Sequence, residues 1–356
     1  MPEPYVSEVF EDCAPIFIVG APRSGTTLLE RMLDAHPAIA IADEIIFFDI
    51  ILQARERVPE LDSPERIRYF FDLLPAMDHV RYWNHADEIL SQVKARLLAD
   101  ARASYGRFYR YFMEAWAQRA GASRFGEKTP WNIRHLAELR RMFPNCRIIH
   151  MVRDPRAVVA SKMALPRTSR DILTNAVKWW LDVQQARDFV EADAANARRV
   201  LEIRYEDLVA QPREVLQQVC DFIGEPFDAR MLTYAESADV NFRNQPYHRG
   251  VFKPVFSSSL EAWRRSLNEA QLVLIQLIGG PLMNVYGYAK LPWSSSAAAR
   301  LPLQMLREMN AWRSFKRAER QLREEEADIT FRYEADAQYV MLRSMLWSRL
   351  ARTRRC

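Results

Sequence analysis

A turn bounded by two glycines lies between a short apolar run and a helix-like stretch near the start of the chain. Gly20 and Gly25 bound it, Arg23 lies inside it, and Thr26 and Thr27 follow it. Such glycines permit a tight turn whose backbone N–H groups point inward, and a helix that starts near Thr26 adds the positive end of its dipole. Two hydroxyls and one guanidinium complete the donors. The spacing therefore predicts a site for a phosphate group.

This turn departs from the loop of nucleoside triphosphatases at one position. Their pattern, G-x-x-x-x-G-K-[ST], has a lysine directly after the second glycine. Here Ser24 and Gly25 are followed by Thr26 instead. The sequence also has no apolar strand that ends in an acidic pair, the pattern of a magnesium site. We therefore expect a ligand other than a nucleoside triphosphate, and no metal.

A second set of candidate anion ligands follows a strand-like run at 147–152. Arg153 stands at its end, Asp154 and Pro155 break it, and Ser161 lies about two helical turns further on. A guanidinium and a hydroxyl at the carboxyl end of a parallel strand suit a second anion. Taken alone, the pattern favours an Arg–Asp pair that closes a helix N-terminus.

The elements that must position these residues alternate between strand and helix patterns. Short apolar runs separated by long helical patterns predict an α/β fold with a parallel sheet. The strand-like runs lie at 16–19, 147–152 and 200–205, and helices are expected at 172–195, 213–223 and 303–326. The stretch 61–119 is helical and rich in aromatic residues, which indicates core packing. Residues 292–299 are expected to form a linker.

Composition narrows the class of protein. The 356 residues are 49% hydrophobic and 27% charged, with a formal net charge of +4 at pH 7, which is ordinary for a globular protein. This mild charge suits an anionic ligand in a local pocket, and we expect no nucleic-acid partner. The sequence shows no membrane-length apolar run, no signal pattern and only scattered cysteines, so a cytoplasmic protein is expected.

The two anion motifs together resemble the sulfotransferase superfamily, which uses 3′-phosphoadenosine 5′-phosphosulfate (PAPS). Its 5′-phosphate loop often reads R-S-G-T-T and its 3′-phosphate element R-D-P-R-x-x-x-x-S, and both strings occur here. The likeness is closest to tyrosylprotein sulfotransferases and their bacterial relatives, over about residues 15–265. It implies a P-loop-like three-layer fold with a central parallel sheet flanked by helices. A sulfonate carries less charge than a γ-phosphate, so a loop lysine and a metal are less needed.

The resemblance also implies the residues that bind PAPS and its product, 3′-phosphoadenosine 5′-phosphate (PAP). Arg23 would contact the transferring group, and the threonine pair would hold the 5′-phosphate. Arg153 and Ser161 match the 3′-phosphate ligands. The full implied set is Arg23, Ser24, Gly25, Thr26, Thr27, Arg153, Ser161, Tyr205, which matches a nucleotide-contacting tyrosine, and Lys253, which matches a lysine that closes over the nucleotide.

The implied catalytic residues are Glu44, Arg23 and Lys128. Glu44 aligns without a gap on the glutamate that takes the acceptor's hydroxyl proton. Arg23 and Lys128, the latter in the segment EKTPWN, would neutralise charge that grows on the sulfonyl and bridging oxygens. Without the alignment, Glu44 would be read as an acid at a helix start. His36, at the end of the loop helix, is expected to be structural.

The acceptor is less well defined. Ile46 and Ile50 fall where tyrosylprotein enzymes have arginines that read acidic peptides, so sulfation of such peptides is not expected. Ile46, Phe47 and Phe48 suggest an apolar metabolite, lipid or glycan as the hydroxyl-bearing acceptor, with core packing as the alternative.

Residues 1–292 are expected to form the sulfotransferase domain, with a helical insertion at about 61–120, and 293–356 a helical C-terminal extension. The end of this extension alternates apolar and basic residues. Three interpretations stay open for it: a homo-oligomerisation helix, a helix that contacts a membrane surface, or a solvated end. Two other functions also stay open, a P-loop nucleotide kinase and a non-catalytic nucleotide-binding scaffold of the same fold.

Overall fold

A computed structural model describes residues 8–42, 44–48, 52–76, 83, 85–165, 171–235 and 260–325. The chain divides into two compact units, one of Met1–Arg153 with Gln185–Ser257 and one of Asp154–Gln184 with Ser258–Cys356. The domain boundary at 292 stays a prediction. The end of the C-terminal extension, from residue 326, lies outside the described residues.

The first unit contains a sheet of parallel strands in the order β2-β3-β1-β4-β5. The strands are β1 Ile16–Gly20, β2 Ile39–Ala42, β3 Arg124–Lys128, β4 Arg147–Val152 and β5 Val200–Arg204. The central strand β1 is buried along its whole length, as expected for a parallel strand covered on both faces. The predicted α/β fold with a parallel sheet is confirmed.

Helices lie between and after these strands in the chain. The α-helices are α1 Thr26–Asp34, α2 Pro64–Leu73, α3 Ala86–Ala99, α4 Tyr105–Ala120, α5 Leu136–Met142, α6 Pro155–Met163, α7 Ile172–Ala192, α8 Ala194–Ala197, α9 Tyr205–Ala210, α10 Pro212–Ile223, α11 Trp263–Ser266, α12 Glu269–Val285 and α13 Ser295–Glu325. Short 3-10 turns lie at Leu52–Glu56, Leu74–Ala76, Pro130–Arg134 and Ala229–Thr233. In the described part of the chain, none of these helices combines the length and apolarity that crossing a bilayer requires.

The helical insertion is present as α2, α3 and α4, and its aromatic residues form the predicted core. Ser104 caps α4 by accepting a hydrogen bond from the Arg107 backbone N–H at 3.2 Å. Phe70 of α2 meets Phe108 of α4 edge to face, with 5.1 Å between ring centroids, and both rings are fully buried. Such pairs add to the stability gained from burial.

The elements that were not predicted include the strands β2 and β3, the helices α5, α9 and α12, and the start of α13. β2, IAIA, is an apolar run of only four residues, and β3, RFGEK, carries three charged residues and shows no apolar run. The linker predicted at 292–299 is wrong from Ser295 onward, where α13 begins. Ser294 accepts a hydrogen bond from the Ala297 N–H at 3.1 Å, and the alanines that follow favour helix.

The second unit has its own core among α6, α7, α11, α12 and α13. Asp154 caps α6 and pairs with Arg156, whose Nη2 lies 2.6 Å from the carboxylate. The predicted Arg–Asp pair at this helix start therefore exists, but Arg156 supplies its guanidinium. On α13, Glu308 is buried and accepts a hydrogen bond from the Ile172 N–H at the start of α7.

Candidate functional site

The carboxyl edge of the sheet gathers most of the predicted site residues. β1 leads into the loop that carries Arg23, β3 ends at Lys128, and Arg153 follows β4 directly. Tyr205 follows β5, and Glu44 lies two residues beyond β2. In open α/β sheets, ligands bind in the crevice outside the carboxyl ends of the strands, where the strand order reverses. Here that point is β1.

The loop after β1 has the geometry of an anion cradle. Arg23 and Gly25 adopt left-handed conformations, with φ of 81° and 94°. Gly25 is the N-cap of α1, and no side chain in the described chain caps that helix, so its first-turn N–H groups suit an anion. Ser24 is buried, and its hydroxyl has no hydrogen-bond partner among the described residues. Thr26 is buried and Thr27 half-buried.

Tyr205 and Arg153 stack beside this loop. A Cβ atom at Gly25 would lie 2.3 Å from the Tyr205 ring, so the ring occupies the space that any other residue would need. The Arg153 guanidinium lies 4.1 Å from the centroid of that ring, within cation–π range, and its Nη1 donates to the Arg23 carbonyl at 3.1 Å. Four residues implied by the resemblance therefore form one contiguous cluster.

Glu44 and Lys128 meet on the other side of β1. The Lys128 side chain is only 2% exposed, its Nζ contacts a carboxylate oxygen of Glu44, and it lies 3.3 Å from Glu30 Oε2. Glu44 is 31% exposed, whereas Glu30, on α1, is 1% exposed. A buried lysine stays charged where carboxylates surround it. Glu30 was not predicted, and its signal is a lone acid on the otherwise apolar face of α1.

Electrostatic coupling links Arg23 to both clusters. Burial and the charge of Arg153 lower the pKa of the Arg23 guanidinium, while Glu44 and Tyr205 act in the opposite direction. Arginine keeps its charge in spite of such shifts. An anion bound between Arg23 and Arg153 would relieve their repulsion, which is what a site for a phosphate or a sulfonate requires.

Glu127, the residue before Lys128, is the centre of a buried network that sequence reasoning missed. Its carboxylate accepts hydrogen bonds from the Ile45 N–H at 3.1 Å, the Tyr109 hydroxyl at 2.8 Å, Asn132 Nδ2 at 2.7 Å and the Thr129 hydroxyl. Burial raises the pKa of Glu127 to about 7. The string GEK marks Glu127 as charged but does not show that it points into the core.

The residues after Glu44 pack inward. Phe47 stacks on Tyr109 at 4.2 Å between centroids, Phe48 stacks on His135 at 4.5 Å, and Ile46 is fully buried. Core packing, the alternative weighed for these three residues, is what the structure shows. They therefore give no support to an apolar acceptor. Ile50, the other position compared with peptide-reading arginines, lies outside the described residues.

Two predicted residues are not among the described residues of the first unit. Ser161 is half-buried on α6, in the second unit, and Lys253 lies outside the described residues. Their roles stay predictions. His36 accepts from the Ala38 N–H at 3.1 Å through Nδ1, and its Nε2 lies 2.8 Å from the Pro226 carbonyl oxygen. These two backbone contacts fit the structural role expected for it.

Comparison with known proteins agrees with this geometry. The sulfotransferase family model matches residues 15–229, which include the loop, both strands beside it and the Arg153–Tyr205 stack. The chain belongs to the sulfotransferase family. Membership of this family supports sulfonate transfer, and the resemblance drawn from the two motifs is confirmed.

Individual relatives support the same assignment. The chain is 26% identical over 281 residues to protein-tyrosine sulfotransferase A of Caenorhabditis elegans, covering 77% of this chain and 67% of that one. It is 27% identical to protein-tyrosine sulfotransferase 2 of Gallus gallus, covering 62% of this chain and 54% of the relative. The sulfotransferase domain of the Synechococcus olefin synthase superposes with a TM-score of 0.57 at 26% identity, over 81% of this chain and 100% of that one.

Proposed function

We propose that the protein moves the sulfonate of PAPS in line onto a hydroxyl of an acceptor and releases PAP. Membership of the sulfotransferase family supports the transfer. The observation that carries the catalytic assignment is the contact between the Glu44 carboxylate and the buried Lys128 ammonium, beside the anion loop. The Glu44 side chain is 31% exposed, so its carboxylate can meet an incoming hydroxyl.

In this reaction the Glu44 carboxylate removes the acceptor's hydroxyl proton as the oxygen attacks sulfur. The bond between sulfur and the bridging phosphate oxygen breaks, and its electron pair leaves with PAP. Arg23 and Lys128 neutralise the charge that develops on the sulfonyl and bridging oxygens, a form of electrostatic stabilisation that needs no metal. The proton remains on Glu44 until the product leaves.

For the donor, the first-turn N–H groups of α1 and the hydroxyls of Ser24, Thr26 and Thr27 would bind the 5′-phosphate. Arg153, held by Tyr205 and by the Arg23 carbonyl, would bind the 3′-phosphate. The resemblance adds Ser161 and Lys253 to this set. The acceptor remains a hydroxyl compound whose class the described residues do not define.

Calorimetric titration of the whole chain with PAP, ADP and ATP in metal-free buffer tests the donor assignment. We expect PAP to bind at least about tenfold more tightly than ADP, because only PAP offers a 3′-phosphate to Arg153. Equal affinities would refute the assignment, and ATP preference would favour a kinase. PAP binding without transfer of labelled sulfonate from PAPS to phenols, fatty alcohols, sugars or tyrosine peptides would favour a scaffold.

The cellular setting and assembly belong to the same proposal. The described cysteines, Cys13, Cys146 and Cys220, are free, which fits a reducing cytoplasm. The only ground for homo-oligomer formation or membrane contact through the C-terminal helices is the residue pattern of 301–356, which a solvated end would also fit. Sedimentation with and without anionic vesicles, on the whole chain and on a chain ending at 325, would separate these two possibilities from a solvated end.

A further inference from the structure

We propose that Glu127 is a positioning residue that anchors the segment 44–46 and thereby holds the Glu44 carboxylate at Lys128. The inference deepens the proposed function, on which the catalytic role of Glu44 depends. Glu127 itself reaches no reacting atom. It acts through the backbone that carries Glu44.

The first argument is the alternation of β3. Glu127 and Lys128 are consecutive, so their side chains point to opposite faces of the sheet. Lys128 lies with Glu30 of α1, and Glu127 lies with Tyr109 of α4. Lys128 contacts the side chain of Glu44, whereas Glu127 accepts from the N–H of the next residue, Ile45. The last two residues of β3 thus contact the segment 44–46 from opposite faces of the sheet.

The second argument is the backbone of Ile46. Its φ of 51° is left-handed, a conformation that a β-branched residue keeps only where its surroundings impose it. The Ile46 N–H donates to the Thr129 hydroxyl oxygen at 3.3 Å, and that hydroxyl donates to Glu127. Trp83 adds a third anchor, because its indole N–H donates to the Glu44 carbonyl at 2.7 Å.

The third argument is the valence of the carboxylate. One oxygen of Glu127 accepts from the Ile45 N–H and the Thr129 hydroxyl, and the other accepts from Tyr109 and Asn132. Above its pKa of about 7 the carboxylate is ionised and accepts from all four donors, whereas a proton on one oxygen turns that oxygen into a donor. An amide of the same shape would present its NH₂ group to one of these two pairs. The Glu127→Gln substitution therefore breaks one side of the anchor without leaving a cavity.

A set of matched variants tests the anchor. Thr129→Val removes the hydroxyl that links Ile46 to Glu127 at nearly constant shape, and Thr129→Ser restores it. Tyr105→Phe is the control for general destabilisation, because Tyr105 lies one turn from Tyr109 on α4 and donates to the Val58 carbonyl at 2.6 Å, away from Glu127. Glu127→Gln completes the set.

The first measurement is amide hydrogen exchange of Ile45 and Ile46. We expect exchange about tenfold faster in Thr129→Val and Glu127→Gln, and close to wild type in Thr129→Ser and Tyr105→Phe. The second measurement is the rate of transfer of labelled sulfonate from PAPS to p-nitrophenol, together with the rate of its hydrolysis to free sulfate. In the first two variants we expect kcat to fall about 10- to 100-fold while the KM for PAPS and the Kd for PAP stay within about twofold, because a misplaced base affects the chemical step.

Unchanged exchange in Thr129→Val would show that the Thr129–Glu127 contacts do not hold the segment 44–46. Faster exchange with unchanged kcat would show that holding this segment does not position Glu44 for the chemical step. Equal kcat losses in Thr129→Val and Tyr105→Phe would reduce the network to a structural role. If wild type does not bind PAP, the proposed function fails, while the exchange data still decide whether Glu127 holds the segment.

Discussion

Glu44 and Lys128, 84 residues apart in the chain, form an ion pair at the carboxyl edge of the sheet, and the buried Glu30 lies on the far side of the same ammonium group. Lys128 thus has two carboxylate neighbours, of which Glu30 is 1% exposed and Glu44 is 31% exposed. The first keeps the ammonium charged in the core. Under the proposed function, the second acts on the acceptor.

Glu44→Gln should separate binding from chemistry. The amide keeps the shape of the side chain but cannot take a proton, so we expect transfer to fall by about 10²- to 10⁴-fold. The Kd for PAP should stay within about twofold of wild type, because the loop and the Arg153–Tyr205 stack are untouched. Calorimetry and single-turnover transfer from labelled PAPS measure the two effects. Transfer retained at the wild-type rate would remove Glu44 as the base.

Lys128→Met should impair both stability and turnover. It removes the ammonium group that lies 3.3 Å from the buried Glu30 carboxylate, so the free energy of unfolding should drop by about 3–5 kcal/mol in urea titrations. The double variant Glu30→Gln/Lys128→Met also removes the charge of Glu30. It should therefore recover most of the lost free energy of unfolding, while turnover stays reduced by about 10²- to 10³-fold. If the double variant were no more stable than the single one, Glu30 would not be the partner that matters in the core.

Arg153→Ala should weaken PAP far more than adenosine 5′-phosphate. Loss of a charge-assisted contact to the 3′-phosphate is expected to cost about 1.5–3 kcal/mol, or about 10- to 100-fold in Kd for PAP. Arg147→Ala is a matched control, because Arg147 begins the strand that ends just before Arg153 and so lies at the opposite edge of the sheet. Equal losses for both nucleotides would contradict the 3′-phosphate assignment.

Glu127 and His135 should make the free energy of unfolding change in opposite directions with pH. Burial raises the pKa of Glu127 from 4.5 to about 7, so the folded state holds a proton that the unfolded chain releases, and this contribution declines as pH rises through that window. Burial and Arg134 lower the pKa of His135 from 6.5 to about 4, so its contribution is present above 6.5 and is lost as pH falls towards 4.

Single variants should reveal each slope. Between pH 4.5 and 6.5, Glu127→Gln should leave the rising slope of His135, so its Tm should increase with pH relative to wild type. His135→Phe keeps a ring against Phe48 but cannot titrate, so relative to wild type its Tm should decrease over the same range. Thermal unfolding followed at half-unit pH steps checks both signs. Parallel curves for the two variants would show that neither group titrates in this window.

The loop and the strands that flank it could be predicted because their signals are local. Gly20, Gly25 and the threonine pair fix a turn within a few residues, and β1 and β4 read as plain apolar runs. β3 could not be predicted in this way, since its sequence mixes charges that point to two different buried partners. Gly126 shows the tertiary constraint, because a Cβ there would lie 2.1 Å from the Ile16 carbonyl oxygen.

The network around Glu44 could be predicted only in part. Alignment to a family placed Glu44 and Lys128, but their contact depends on β2 and β3 being neighbours, and β2 was not predicted. Glu30 of α1 contacts Lys128, while Glu127 of β3 and the indole of Trp83 contact the backbone of the segment 44–46. Their roles arise from pairings at long sequence separation, which no periodicity records. Trp83 was expected to be core, and it is, but its indole N–H also has a polar task.

β1 lies in the middle of the sheet, and the site residues on its two sides come from two separate stretches of the chain. Glu44 and Lys128 come from the stretch between β1 and β4, whereas Arg153 and Tyr205 come from the chain after β4. Under the proposed function, a chimera that takes residues 39–134 from a relative would therefore exchange Glu44 and Lys128 and keep the donor-binding residues Arg153 and Tyr205. Diversification of products by exchange of one contiguous gene segment is the evolutionary route that this strand order leaves open.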